Sequence, residues 1–403
     1  MGLISRRQAL LSSVLALPAE RSAEVSFEFG EPYLLVSVKT GASGIYAPHA
    51  FRASSGPIFL GYYTYPDDFG PEPFPAALLR STDNGLTWRS LGERGNLGYM
   101  FGERPDGSVL AVDCQGNVDS DGQYASTVQE FGAKGTAAPR FSKIRVHGFR
   151  KGEEPYFHLT RMVRAKDGSL VTAAYSPADG STREMWYTNK PSAKPTRIVC
   201  LSSIDDGRSW KFLSNVALDE TNRAREHRNI GLSEPFVEAL PDGRLLCIYR
   251  DDRRQTGNEY RLMKQCWSAD SGATWTQPVS SGVAGVDPCL LQMQNGVLLC
   301  SFGRPGVWLM YSLNGGVHWE GHTSIYSPTS PPPRDVAPAA LRRPWSHAYT
   351  SMVALSEESG LFFFDIHEHR MPWTGRLPAA EAGPEHRANS IFAVPFRVIR
   401  KKR

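Results

Sequence analysis

Glu234, Arg250, Asp287, Arg304 and Tyr349 are, in order, an acid, a guanidinium, an acid, a guanidinium and a phenol. Those are the types needed to grip an anion and to raise a nucleophile beside it. A phenol, with an ordinary pKa of about 10, is a poor nucleophile at neutral pH unless a neighbouring carboxylate takes its proton. Glu234 is the carboxylate for that task, and the forks of Arg250 and Arg304 can hold an anionic carboxylate bidentately. A neutral nucleophile suits an anionic ligand, which a carboxylate nucleophile would repel. Taken singly, each residue has a plainer explanation: Glu234 opens a strand, Arg250 pairs with Asp251 or Asp252, and Tyr349 fills a core. Asp287 is either a further polar contact at the same place or a strand-opening acid. What would join the five is the periodicity of the chain around them.

That periodicity is plainest over residues 233–319, where one unit is written twice. SEPFVEALPDGRLLCIYRDD runs on to SADSGATW, and VDPCLLQMQNGVLLCSFGRPG to SLNGGVHW. In each copy an acid and a proline open an apolar run, Asp242-Gly243 or Asn295-Gly296 reverses the chain, and a second apolar run ends at an arginine. The pattern predicts strand, tight hairpin, strand, strand, turn: a repeated four-stranded sheet. Turn glycines in this context recur at Gly56, Gly107, Gly168, Gly243, Gly296 and Gly360, so the expected fold is all-β, a six-bladed β-propeller. Counting back nine residues from each glycine starts the first strand at Ala47, Gly98, Leu159, Glu234 and Asp287; the last turn reads two residues longer and leads to Tyr349. First strands leave one mouth of the central axis and second strands return to it. Tyr63, Tyr175, Arg250, Arg304 and His367 therefore fall on the same rim.

Four turns carry a second signature: STDNGLTW (Ser81 to Trp88), SIDDGRSW (Ser203 to Trp210), SADSGATW (Ser268 to Trp275) and SLNGGVHW (Ser312 to Trp319). The acid can bond turn amides, glycine permits a positive φ, and tryptophan packs between sheets. They join third strands to fourth and so lie on the face opposite the rim, where they report fold and no catalysis.

Composition narrows the rest. A chain of 403 residues at 41% hydrophobic can bury a large core, and no stretch reaches the eighteen or so apolar residues of a membrane span. Lys+Arg 45 against Asp+Glu 41 leaves only +4, with no basic run besides Arg400 to Arg403, so nucleic acid is not an expected partner. The six cysteines lack metal spacing, and neither a metal nor another cofactor is expected; buried free thiols are the favoured reading, although Cys289 and Cys300 sit symmetrically about the Asn295-Gly296 turn. Residues 1–23, with Arg6-Arg7 ahead of a short apolar stretch, resemble a bacterial twin-arginine export signal, leaving 24–403 as a single exported domain, periplasmic or extracellular. Residues 178–195 and 320–346 read as inserted loops that would shape the rim's walls, with Arg183, Trp186 and Trp345 as candidate ligand contacts.

The four turns resemble Asp boxes, and with six units the chain over residues 30–400 resembles the sialidase superfamily of propellers. The resemblance implies a glycan substrate, an arginine triad for its carboxylate, a tyrosine nucleophile paired with a glutamate, and an aspartate acid/base. Glu234 in SEPFVEAL matches the glutamate, Arg250 and Arg304 the second and third arginines, and Tyr349 in HAYTSMVAL the nucleophile. Such tyrosine nucleophiles depart from the usual pair of carboxylates. The chain departs from the family at two points. Tyr46, in IYAP, stands where the first arginine belongs, and Arg52 lies farther down the same strand. The loop TYPDDFGPEPFPA offers Asp67, Asp68 and Glu72, of which Asp68 is the preferred acid/base. Three expectations follow: an exo-sialidase-like glycosidase, a relative acting on another glycan, or a propeller that binds sugar or protein without turnover.

Overall fold

The computed structural model describes residues 24–39, 46–64, 75–96, 98–118, 123–133, 138–150, 152–178, 196–218, 231–251, 262–303, 306–326, 349–366 and 388–401, all strand, turn or loop with no helix among them. β1 (Val25–Phe29) and β2 (Tyr33–Lys39) come first. β3 (Tyr46–Arg52), β4 (Ile58–Tyr63), β5 (Pro75–Ser81) and β6 (Arg89–Asn96) form an antiparallel sheet in chain order. β7 (Tyr99–Glu103), β8 (Val109–Asp113), the short β9 (Asn117–Val118), β10 (Tyr124–Phe131) and β11 (Arg140–His147) make the next unit. β12 (Val163–Arg164), β13 (Leu170–Pro177), β14 (Thr196–Ser203) and β15 (Ser209–Leu218) make the third, joined to the second by a parallel pairing of the outer strands β11 and β15. Two four-stranded sheets follow: β16 (Leu232–Ala239), β17 (Leu245–Asp251), β18 (Leu262–Ser268) and β19 (Val279–Ala284), then β20 (Val286–Gln292), β21 (Leu298–Gly303), β22 (Val307–Ser312) and β23 (Glu320–Tyr326). The last sheet holds β24 (Thr350–Ala354), β25 (Ser359–Ile366) and the long β26 (Ala388–Arg400), whose free edge pairs with β1 and β2, so the chain's two ends share one sheet.

The inner strands explain why the sequence reads as apolar runs. β4, β8, β21 and β22 are buried at every residue, since a sheet wedged between two others buries both faces. The outer β11 is largely exposed and the outer β19 is exposed at half of its residues. Five of the six aligned glycines close the same turn, Gly243 donating to Leu240 O (2.9 Å) and Gly296 to Met293 O (3.1 Å), with φ of 85° and 84°. Gly360 does not turn the chain. It lies inside β25 opposite Ala354, and the reversal spans residues 355–358, closed by Leu355 N donating to Ser359 O at 2.8 Å. The expected loop 320–346 is corrected at its start: residues 320–326 are β23, whose pairing with β22 completes that sheet.

The four Ser/Trp turns join β5 to β6, β14 to β15, β18 to β19 and β22 to β23, and share one network. In the first, Gly85 N donates to Ser81 Oγ (2.8 Å), Thr87 N to Asp83 Oδ1 (2.9 Å) and Thr87 Oγ1 to Asp83 Oδ2 (2.6 Å). The Thr87 hydroxyl and amide together pull the Asp83 carboxyl down to about 2. Gly85 sits at φ +90°, where a Cβ would also meet Leu361 Cδ1 at 2.4 Å. In the fourth turn Asn314 keeps the amide bond from His318 N (2.9 Å) but has no second oxygen for a hydroxyl donor. All six cysteines are free and buried; Cys289 stands opposite Ser301 and Cys300 opposite Leu290, so the two thiols do not face each other across the hairpin.

Candidate functional site

The counted-back positions share a conformational mark. Ala47 (φ 56°), Leu159 (φ 42°), Glu234 (φ 51°) and Asp287 (φ 46°) lie in the left-handed region that L-residues avoid, and Gly98 has φ 81°. At three of them the register slips by one. Ala47-Pro48 together face Tyr62, Glu234-Pro235 face Tyr249, and Asp287-Pro288 face Phe302. Each is a bulge whose second residue is a proline without an N–H for the ladder, and such bulges re-aim the side chain of the residue they strain. Neighbouring sheets are then tied by carboxylate-to-amide bonds: Asp287 N donates to Glu234 Oε2 (2.9 Å), Thr350 N to Asp287 Oδ2 (3.3 Å) and Ala47 N to Asp365 Oδ2 (2.8 Å).

Glu234, from the start of β16, is the hub. Its Oε1 accepts from Tyr349 OH at 2.8 Å and from Arg250 Nη1 at 2.8 Å, while Oε2 takes the Asp287 amide. Tyr349 immediately precedes β24 and Arg250 lies near the end of β17, so the neighbouring strand of one hairpin and a residue 115 positions away meet on one carboxylate that is only 4% exposed. The geometry is that of a phenol poised to give its proton to a carboxylate whose charge a guanidinium offsets. Burial pushes the Asp287 carboxyl up to about 6, with the charge of Glu234 adding to the rise and His158 opposing it.

His158 is the largest omission from the sequence reading. Its Nε2 lies 3.4 Å from Asp287 Oδ1, an ion-pair distance without good hydrogen-bond geometry, and its ring meets that of Tyr349 edge-on at 5.6 Å. Tyr63, Tyr156 and Tyr175 continue the wall, with Tyr63 OH and Tyr156 OH 3.1 Å apart. His158 immediately precedes Leu159, a counted-back position, which is the one signal that could have found it. Asp365 carried none. Farther along the first strands, Arg161 packs over Phe236 at 5.0 Å and reaches Glu238 Oε2 (2.5 Å) and the carbonyl of Leu290, tying three sheets. Beside it burial drives the His49 imidazole down to about 3, so it is neutral at physiological pH.

Of the residues singled out in the sequence, Glu234, Arg250, Asp287 and Tyr349 converge. Arg304 and Asp68, with Asp67, Glu72, His367, Arg183, Trp186 and Trp345, lie outside the described residues. The backbone of Tyr46 pairs with Tyr63, but its side chain is also outside them. Arg52 is at the other end of β3, its Nη2 donating to Asn84 Oδ1 at 3.4 Å in the first Ser/Trp turn, and takes no part in the cluster. Among the described residues no group of three or more His, Cys, Asp or Glu could hold a metal ion, and no helix is long and apolar enough to cross a membrane.

No protein-family model and no curated protein matches the chain. Solved structures do. A protein of unknown function from Dyadobacter fermentans is 16% identical, with a TM-score of 0.61 over 93% of this chain and 99% of the other. A Hadza microbial sialidase is 15% identical, with a TM-score of 0.55 over 87% of this chain and 65% of the other. An α-L-arabinofuranosidase of Fusarium graminearum is 14% identical, with a TM-score of 0.54 over 91% of this chain and 98% of the other. At these identities the likeness is one of fold: the chain has the all-β, propeller-like architecture that sialidases and arabinofuranosidases share.

Proposed function

We propose that the chain is a six-bladed propeller glycoside hydrolase that cleaves a terminal sialic acid or a related acidic sugar. One observation carries this reading: the Tyr349 hydroxyl donates to Glu234 at 2.8 Å, with Arg250 on the same oxygen. In the reaction we infer, the Tyr349 oxygen attacks the anomeric carbon as its proton passes to Glu234, and the bond to the leaving oxygen breaks. Asp68 protonates that oxygen and then takes a proton from a water, whose oxygen displaces the Tyr349 oxygen from the anomeric carbon as Glu234 returns its proton to Tyr349. Arg250, which also neutralises Glu234, and Arg304 hold the substrate carboxylate, with Asp287 and Tyr46 as further contacts. Residues 1–23 act as a twin-arginine export signal and place the enzyme outside the cytoplasm.

A second reading has its own support. Tyr46 stands where a third arginine would complete the anion clamp, one nitrogen of Arg250 is turned to Glu234, and the chain spans the whole length of an arabinofuranosidase but about two thirds of a sialidase. A neutral furanoside would suit a site with fewer guanidinium groups. Purified protein lacking residues 1–23 should release fluorophore from a sialoside, and Tyr349→Phe should not. Release only from an arabinofuranoside would transfer the proposal to the second reading; glycan binding with no release from either would leave a binding protein.

A further inference from the structure

Glu234 and Asp287 form a pair of acids in one buried site. They are 4% and 6% exposed, and the Asp287 amide is bound to Glu234 itself. Two carboxylates so placed cannot both ionise unless cations stand beside them. Glu234 has Arg250 at 2.8 Å. Asp287 has His158 at 3.4 Å, a counter-charge whenever the imidazole is protonated. Among the described residues the other groups around Asp287 are the Thr350 amide from the last sheet, the Cys289 thiol on its own strand and the Cys114 thiol after β8, which also feels Asp113. Burial holds both thiols protonated, so neither is a counter-charge. His158 is itself 6% exposed, neither ring nitrogen is in good hydrogen-bond geometry with a described residue, and its other neighbours among them are the rings of Tyr156, Tyr175 and Tyr349 and the His49 imidazole, which burial keeps neutral at physiological pH. A phenyl ring would fill that aromatic wall equally well; among the described residues Asp287 is the acid that gives an imidazole a reason to be there.

We propose that His158 is a positioning residue of this site: standing against Asp287, it takes up that carboxylate's charge, so that Glu234 alone is left to accept the Tyr349 proton. The inference rests on the glycosidase reading for its purpose, but its first test needs no substrate. In full-length protein labelled at aspartate carboxyl carbons, the signal lost in Asp287→Asn identifies Asp287, and its titration should have a midpoint near 6. His158→Phe, or His158→Gln if the first variant does not fold, should raise that midpoint by at least about one pH unit. A midpoint that stays put overturns the proposal whether or not the protein hydrolyses anything.

The second test is the pH profile of hydrolysis. With His158→Phe the acid limb of kcat/KM should move to higher pH, and on the acid side kcat/KM should fall about tenfold for each pH unit that the limb moves, while activity at pH 8 stays within about threefold. Adding Asp287→Asn should return the limb toward its original position, because the competing carboxylate is gone. A loss equal at every pH would mean that the imidazole only fills space, and would equally overturn the proposal.

Discussion

Replacing Glu234 by glutamine is the most revealing single change, because one carboxylate serves three partners. Its Oε1 accepts from both Tyr349 and Arg250 at 2.8 Å, and Oε2 accepts the Asp287 amide at 2.9 Å. Glutamine keeps the volume but offers one acceptor to donors on both sides. Whichever way the amide turns, an N–H faces a donor and Arg250 loses its counter-charge. Breaking a buried pair by neutralising one member costs about 3–5 kcal/mol. The Arg250 side chain keeps 15% of its exposure, so water recovers part of that loss. A cost of about 2–4 kcal/mol is expected, and with about 0.8 kcal/mol per degree for a chain of 403 residues the melting temperature should fall by about 2–5 °C. Hydrolysis should fall by about 10²–10⁴-fold with the loss of the base. Differential scanning calorimetry and fluorogenic hydrolysis at one pH read both quantities. A variant that melts within a degree of wild type and hydrolyses at its rate would refute the reasoning, since Glu234 would then be neither hub nor base.

Tyr349→Phe removes one hydrogen bond at a cost of about 0.5–1.5 kcal/mol, so it should melt within about 3 °C of wild type while hydrolysis drops to background; a drop in stability as large as that of Glu234→Gln would contradict this. The raised carboxyl of Asp287 has a stability consequence of definite sign: the folded chain holds this proton more tightly than the unfolded chain. Its contribution is full below the ordinary carboxylate range and lost as pH rises through about 6, so wild type should lose stability relative to Asp287→Asn between pH 4 and pH 7; parallel melting curves over that range would contradict the assignment. Asn314→Asp with His318→Thr gives the fourth Ser/Trp turn the hydroxyl-to-carboxylate bond of the other three, and thermal melts should show a gain of about 0.5–1 kcal/mol. The six buried thiols should stay unmodified by a thiol reagent in the native protein and react fully once it is unfolded.

The hairpins were legible because their chemistry is local. A glycine that closes a tight turn fixes the register of both flanking strands, which is why counting back from Gly56, Gly107, Gly168, Gly243 and Gly296 lands on five residues that all have positive φ. The acid-proline pairs at Glu234 and Asp287 mark bulges for the same reason. Gly360 was misread as a turn because a strand glycine and a turn glycine look alike without their partners. The strand within 320–326 was hidden by the proline-rich stretch that follows it. The pairing of β1 and β2 with β26 had no sequence trace, being set by packing between chain ends with no repeat in common. His158 was missed because an imidazole and a carboxylate from different sheets advertise nothing to each other along the chain. Tyr349 and Glu234 were expected together because their types fit one task and SEPFVEAL and HAYTSMVAL resemble one family's motifs; the hydroxyl and carboxylate do meet at 2.8 Å, although the glycine from which Tyr349 was counted is not a turn.

If the Tyr349 oxygen forms the bond to the sugar, mass spectrometry of protein quenched during turnover of an activated fluorinated sialoside should show one added sugar on the peptide that contains Tyr349, absent from Tyr349→Phe. Turnover with that peptide unmodified, or the sugar attached at Glu234 or Asp287, would contradict that role for Tyr349.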